Sequence, residues 1–293
     1  MSRLALNAPA KLNLFLHVLG RRRDGYHELQ TLFQLLDFGD RVALESRADG
    51  QIRRRKGPPG VAADADLAVR AARLLKAACG APDGCDIVID KRIPVGSGLG
   101  GGSSDAAAVL VGLNALWKLG LSGERLAQLG FELGADVPVF VGGHSAWAEG
   151  VGEKLRPVSL GDRWYLVLTP KCEVSTAAIF GAPALTRNSP ALTIDRFIRG
   201  PASGRVRKLD FGALWRATRN DCEPVVRKAC APVDAAFNWL ESYAEARLTG
   251  TGASIFAPFP SAEEATRVLN RLPGEFRGIV ARGVDQVSRA GGE

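Results

Sequence analysis

The sequence predicts an α+β fold in two lobes. Three observations point to it. Apolar runs alternate with segments of helical spacing through the first half. A glycine-crowded loop joins one such run to an alanine-rich helix. The pattern then starts afresh with a strand after about residue 155, in a chain of 293 residues that exceeds one typical domain. Residues 1–155 are read as the first unit and 156–293 as the second.

Ala10 to Leu19 reads as an apolar strand, and Arg41 to Ser46 as another. Gly50 to Gly60, with Pro58 and Pro59, reads as a loop or hairpin tip. Leu67 to Ala78 is a helix, with Leu67, Ala71, Leu74 and Leu75 on one face. Asp86 to Asp90 is a short apolar run bounded by polar residues, as a strand often is. Beyond the glycines, Leu110, Leu113 and Leu116 keep helical spacing, and a further helix runs from Gly123 to Leu133. Trp164 to Leu168 opens the second unit as a strand. Pro183 to Pro201 is rich in breakers and reads as irregular. Leu209 to Cys230 and Pro232 to Tyr243 read as helices, and Arg247 to Phe256 as a second glycine loop entering a strand. Ser261 to Asn270 is a helix and Gly278 to Ala281 a last short strand.

The composition suits a cytoplasmic enzyme. Residues of hydrophobic type make up 46%, enough for a large core, and no apolar run approaches the roughly 20 residues of a membrane span. The N-terminus lacks the apolar stretch of a signal peptide. Cys79, Cys85, Cys172, Cys222 and Cys230 are odd in number and lack metal-ligand spacing, so reduced thiols are expected. His17, His27 and His144 are too scattered to suggest a metal site. Part of the net charge of +7 lies in Arg21–Arg23 and Arg53–Lys56. These runs carry no aromatic interleaving and no nucleic-acid module. They read as solvated loops, or as attraction for a phosphorylated substrate.

Pro94-Val-Gly-Ser-Gly-Leu-Gly-Gly-Gly-Ser-Ser-Asp105 is the most telling segment. Glycines between a strand and a helix N-terminus let backbone N–H groups approach a phosphate, and the helix start adds partial positive charge. A Gly-Lys-Ser/Thr ending would mark a P-loop, but Ser103-Ser104-Asp105 follows the glycines instead. Gly96, Gly98 and Gly101 satisfy the dinucleotide fingerprint formally. The acidic residue it needs about 20 positions on is missing, since Glu124 starts another helix. Pro-x-x-x-Gly-Leu-Gly followed by a Gly/Ser run closely resembles the galactokinase, homoserine kinase, mevalonate kinase and phosphomevalonate kinase superfamily.

Phosphoryl transfer also needs positive charge and a group that orients or deprotonates the acceptor hydroxyl. Lys11 opens an apolar run, where its charge is expensive unless used; the alternative is a snorkelling surface lysine. Asp136 is a lone carboxylate between a helix end and an apolar segment; the alternative is a cap.

Pro9-Ala10-Lys11-Leu12-Asn13-Leu14, Arg23-Asp-Gly-Tyr-His-Glu-Leu29, the glycine loop, Gly134-Ala-Asp-Val-Pro138, Asn220-Asp-Cys-Glu223 and Leu248-Thr-Gly-Thr-Gly-Ala253 occur in this order. Together they resemble the branch of that superfamily acting on 4-diphosphocytidyl-2-C-methyl-D-erythritol, over nearly the whole chain. The resemblance implies a two-lobed kinase with its site between the lobes. It implies ATP-dependent phosphorylation of the 2-hydroxyl of the methylerythritol in the non-mevalonate isoprenoid precursor pathway. Asp136 would be the base or orient the hydroxyl, Lys11 would pair with it, and Asn13 would help hold the acceptor. Tyr26 and Phe180 would sandwich the cytosine and His27 would hydrogen-bond to it, although either aromatic could be core packing. Pro94, Gly96, Ser97, Gly98, Leu99, Gly100, Gly101, Gly102, Ser103 and Ser104 would hold the ATP phosphates, with Lys91 near the nucleotide. Gly250 and Gly252 would bring the second glycine loop close.

Magnesium is expected with ATP, Ser104 being the best protein candidate to touch it, without a dedicated metal site. Two positions depart from the family. Asp66 stands where an asparagine often lies near adenine and has lost the amide donor. Asp105 stands where asparagine is common, so it is turned away or offset by magnesium. The partner expected is a small molecule with a cytidine diphosphate moiety, with no nucleic acid or membrane, and the chain a monomer or weak homodimer. Two other functions stay open. One is a superfamily kinase for another alcohol, such as mevalonate or homoserine. The other is a non-catalytic nucleotide- or RNA-binding protein, whose binding would be salt-sensitive.

Overall fold

A computed structural model describes residues 2–198 and 207–287. A long hairpin organises it: β1 (Arg3–Arg21) and β2 (His27–Arg47) run antiparallel along their whole length. Both exceed the runs read from sequence. Helices and other strands cover the two faces unevenly, so polar and small residues interrupt the apolar pattern without ending the strands. The register slips between Pro9 and Lys11, between Asn13 and Leu16, and between Val18 and Gly20. Such bulges re-aim side chains, and two of them bracket Lys11 and Asn13.

β2 is the shared strand. It pairs with β5 (Ala146–Gly150) through residues 29–33, with β11 (Arg277–Val284) at Leu35 and Leu36, and with β4 (Gly84–Asp90) through residues 41–47. Next to β11 lie β7 (Arg163–Thr169), β10 (Ile255–Phe259) and β9 (Arg247–Leu248). β6 (Lys154–Ser159) continues from β5, so this hairpin spans residue 155; β8 (Arg207–Lys208) lies beyond it. α1 (Leu67–Cys79), α2 (Gly101–Leu116), α3 (Gly123–Leu133) and the short α4 (Val137–Gly142) cover the first half. Leu44, Leu75, Ile87, Val109, Leu113 and Val137 meet in that core. In the second half α5 (Thr176–Gly181), α6 (Phe211–Ala217), α7 (Glu223–Ala229), α8 (Ala231–Glu241) and α9 (Ala262–Leu269) surround β7 and β10. Among the described residues no helix is long and apolar enough to cross a membrane.

Two expectations need correction. Residues 50–60 contain β3 (Ile52–Lys56), which pairs parallel to β4. A basic run makes a poor apolar pattern, but each cation has an acid in reach: Arg53 reaches Asp49, Arg54 Asp66, Arg55 Asp86 and Lys56 Asp90. The other correction is at 209–230, read as one helix and broken between α6 and α7. Asn220 and Asp221 leave the helix to bond elsewhere. Asp221 accepts from the Val18 amide at 2.8 Å, the Ser189 hydroxyl at 2.6 Å and Arg219 at 2.9 Å. The irregular stretch expected over 183–201 contains one 3₁₀ turn at Ile194–Phe197, and residues 199–201 lie outside the described set.

Asp221→Ala leaves the buried Val18 N–H without an acceptor, and should destabilise the chain by about 3 kcal/mol. Urea unfolding measures it. A change under about 1 kcal/mol would mean water replaces the carboxylate.

Candidate active site

A cleft of about 620 Å³ opens where the two glycine loops meet. The first loop leaves β4 and ends at α2, whose N-cap is Gly100 with no side-chain cap. The first-turn N–H groups of a helix lack intrahelical partners, so this end is ready for an anion. Pro94, Gly96, Ser97, Gly98, Gly100, Gly101, Gly102 and Ser103 line the cleft. Leu99 contributes backbone only: its side chain is buried and its carbonyl accepts from the Lys11 amide at 3.0 Å.

Ser103, not Ser104, is on the wall. One helical step of about 100° turns Ser104 inward, where its hydroxyl is buried without a hydrogen-bond partner.

The second loop leaves β9. The Gly252 amide donates to the Thr249 carbonyl at 3.0 Å, and the Ser254 amide to the Ser97 carbonyl at 3.0 Å, which fastens one loop to the other. Asn220 donates through Nδ2 to the Leu248 and Gly250 carbonyls, both at 2.8 Å. The break after α6 thus holds the second loop. Gly250 and Gly252 line the cleft, and a Cβ on Gly250 would lie 3.2 Å from Asn13 Oδ1.

Lys11 stands at the junction, with its side chain only 4% exposed. Its Nζ donates to Asn13 Oδ1 at 2.6 Å and to the Gly98 carbonyl at 2.8 Å, and lies 3.4 Å from Asp136 Oδ2. Lys11 is therefore no snorkelling residue. Asn13 is fixed in turn: its Nδ2 donates to Thr31 and its amide to Thr249, both at 2.9 Å. Asp136 occupies the N-cap position of α4 but makes no capping bond. Its side chain is 33% exposed and faces the cleft. A carboxylate beside a buried cation, aimed into a cleft, can accept a proton from a bound hydroxyl or align it.

The sequence pattern of the GHMP kinases N terminal domain covers residues 66–144, and that of the GHMP kinases C terminal covers residues 206–278. A 4-diphosphocytidyl-2-C-methyl-D-erythritol kinase of Halorhodospira halophila is 55% identical over 282 residues, which is 95% of this chain and 92% of its own. The chain belongs to the 4-diphosphocytidyl-2-C-methyl-D-erythritol kinase family. It is a kinase that acts on a small molecule. A family member from Pseudomonas aeruginosa is 52% identical, over 96% of this chain and 94% of its own. A crystal structure of a 4-(cytidine 5'-diphospho)-2C-methyl-D-erythritol kinase superposes with a TM-score of 0.79 at 33% identity, covering 99% of this chain and all of the other. The mevalonate kinase of Methanococcus jannaschii shares the fold, with a TM-score of 0.67 at 15% identity over 97% and 99% of the two chains.

Both departures from the 4-diphosphocytidyl-2-C-methyl-D-erythritol kinase pattern are neutralised by the protein itself. Asp66 caps α1 through Oδ1, from the Ala68 amide at 2.9 Å, and pairs through Oδ2 with Arg54 at 2.7 Å. Its neighbours Ala65 and Leu67 line the cleft, while Asp66 does not. Asp105 lines the cleft and has a protein cation as its partner: Lys91 Nζ lies 2.7 Å from it and 2.6 Å from Asp40. Lys91 lines the cleft with its charge thus engaged. Burial opposes the Lys91 charge, but the two carboxylates outweigh it and raise its pKa. Asp40, which sequence reasoning missed, also accepts from the amides of Arg92 and Ile93, and so anchors the start of the first loop.

Burial, with Asp40 beside it and Lys91 opposing, pushes the Asp105 carboxyl up from 3.8 to about 7. The folded chain then binds this proton more tightly than the unfolded chain. Stability is lost as pH rises from about 4 to about 7, and is level above that. Asp105→Asn removes this dependence. The urea midpoint of the variant relative to the parent should climb through that window and then stay constant; a difference independent of pH would contradict the burial argument.

The residues expected at the cytosine form a different arrangement. Phe180 lines the cleft and stacks on His27, with centroids 5.0 Å apart at 22°. Tyr26 is 65% exposed at the tip of the β1–β2 hairpin, and neither it nor His27 lines the cleft. Arg187, also missed in the sequence, donates to His27 Nε2 at 3.2 Å and to the carbonyls of Leu185, Phe180 and Ala182. Burial, then Arg187 and Arg21, lower the His27 pKa. A neutral imidazole accepting at Nε2 carries its proton on Nδ1, as a donor.

Proposed function

We propose that the chain transfers the γ-phosphoryl group of ATP to the 2-hydroxyl of 4-diphosphocytidyl-2-C-methyl-D-erythritol. The contact between Lys11, Asp136 and the first glycine loop carries this assignment. It puts an acceptor-side carboxylate, a cation and a phosphate cradle within one side chain's reach. Residues 94–103 and the α2 N-terminus hold the phosphates, so that their N–H groups meet the charge. Asp136 takes or aligns the hydroxyl proton. Lys11, fixed by Asn13, holds positive charge between that carboxylate and the loop. Phe180 and Tyr26 receive the cytosine faces, which requires Tyr26 to fold inward, and His27 contributes a polar edge.

Magnesium enters as the counter-ion of ATP and would neutralise phosphate charge when bound. The wall beside the helix start offers N–H groups and the Ser103 side chain, which suits an ion carried by phosphate oxygens. The division near residue 155 belongs to the same proposal, with phosphates on 1–155 and part of the acceptor wall on 156–293. So do a cytoplasmic location and a monomer or weak homodimer.

The test is ADP release with Mg-ATP and 4-diphosphocytidyl-2-C-methyl-D-erythritol, beside mevalonate and homoserine. Turnover with the cytidine substrate alone is expected. Turnover with mevalonate or homoserine instead would discard the cytosine assignment.

A further inference from the structure

Two cysteines meet beside the cleft. Cys172 lies in the link from β7 to α5, and Cys230 at the junction of α7 and α8. Their sulfurs are 2.8 Å apart, with the Cys230 thiol donating. A disulfide needs about 2.05 Å, so the sulfurs are within an ångström of bonding distance. Both residues are partly exposed, whereas Cys85 and Cys222 are fully buried. Cys79 is the last residue of α1 and packs against the core of the first half.

The surroundings are rigid on one side and functional on the other. Cys230 closes α7 with its amide on the Val226 carbonyl at 2.9 Å and opens α8. Cys172 begins the segment whose Val174, Thr176 and Phe180 line the cleft. Thr176 and Thr251 hydroxyls meet at 2.9 Å, so this segment already leans on the second glycine loop.

We propose that Cys172 and Cys230 form a modification site, a dithiol that a small disulfide oxidant converts to an intramolecular disulfide tethering the cleft wall to the α7–α8 junction. Cys230 attacks one sulfur of the oxidant, giving a mixed disulfide and one departing thiol. Cys172 sulfur then attacks the Cys230 sulfur, the new S–S bond forms, and the second small thiol leaves. Each cysteine sulfur loses one electron, the two oxidant sulfurs gain one each, and the two thiol protons end on the departing thiols. Burial, with the Cys230 sulfur beside it, pushes the Cys172 thiol up to about 12, so its attack relies on proximity. Next to a mixed disulfide 58 residues away in sequence, its proximity drives the second step.

The full chain treated with oxidised glutathione, then denatured, should show its five thiols fall to three. Its intact mass should drop by two hydrogens with no glutathione retained, and peptide mapping should join the Cys172 and Cys230 peptides. The closed loop is long, so Tm should rise on the order of 5–10 °C and return on reduction. Cys172→Ser should instead keep one glutathione on Cys230 and gain no Tm. Five thiols unchanged, stable adducts on the wild-type chain, a bridge between two copies, or a bridge through another cysteine would each overturn the proposal. The wild-type mapping decides it even if the variant folds poorly.

Discussion

Asp136→Asn should lower kcat by about three orders of magnitude while changing either KM only a few-fold. The amide keeps the shape of the carboxylate and removes its ability to take a proton. Asp136 makes no capping bond that the change could break, and α4 also has Pro138 in its first turn. Lys11 keeps Asn13 and the Gly98 carbonyl as partners, so the buried cation is not stranded. Steady-state kinetics with both substrates, and a single-turnover measurement of the chemical step, check it. Under about ten-fold loss in single turnover would mean that Asp136 only aligns the hydroxyl.

Gly98→Ala should weaken ATP binding by at least about a hundred-fold and destabilise the fold by roughly 2–4 kcal/mol. Gly98 has φ +78°, and a Cβ there would lie 2.6 Å from the Gly252 carbonyl oxygen and 2.9 Å from that of Thr249. Both obstacles are backbone, so no rotamer relieves them. The loops must part, and the Gly98 carbonyl moves off Lys11. Gly96→Ala is the control: φ is +69° but nothing lies within 4 Å, so only backbone strain of about 1–2 kcal/mol is expected. Nucleotide binding by calorimetry and unfolding by urea separate the two. Equal effects at both positions would mean that strain, not loop contact, governs the site.

Much of this site was legible because its chemistry demands unusual residues. Glycines at 98 and 100–102 and a lysine opening an apolar strand are costly without a use, and they stand out. The helices α1 and α3 were legible for a simpler reason: each buries one regular face, whereas α2 was legible from its alanine-rich run and is buried on most sides. Asp40 and Arg187 gave no such signal. Each works through groups distant in sequence, Asp40 through residues 91–93 and Arg187 through His27 and the end of α5. The failure at β3 has the same root, since its arginines are stabilised by acids on other elements. Ser104 shows the reverse: the right motif, but a helical phase that turns the side chain away.

The pairing of β11 with β2 has a consequence for biosynthesis. Gly283 opposes Leu36, so a strand made late joins a sheet whose other members were made long before it. Until residues 277–284 leave the ribosome, β2 and β7 each present an open edge. A nascent or prematurely terminated chain ending before residue 277 therefore exposes two strand edges at once, which makes it a client for a holdase and a seed for aggregation. β11 thus acts as the seam between β2 and β7.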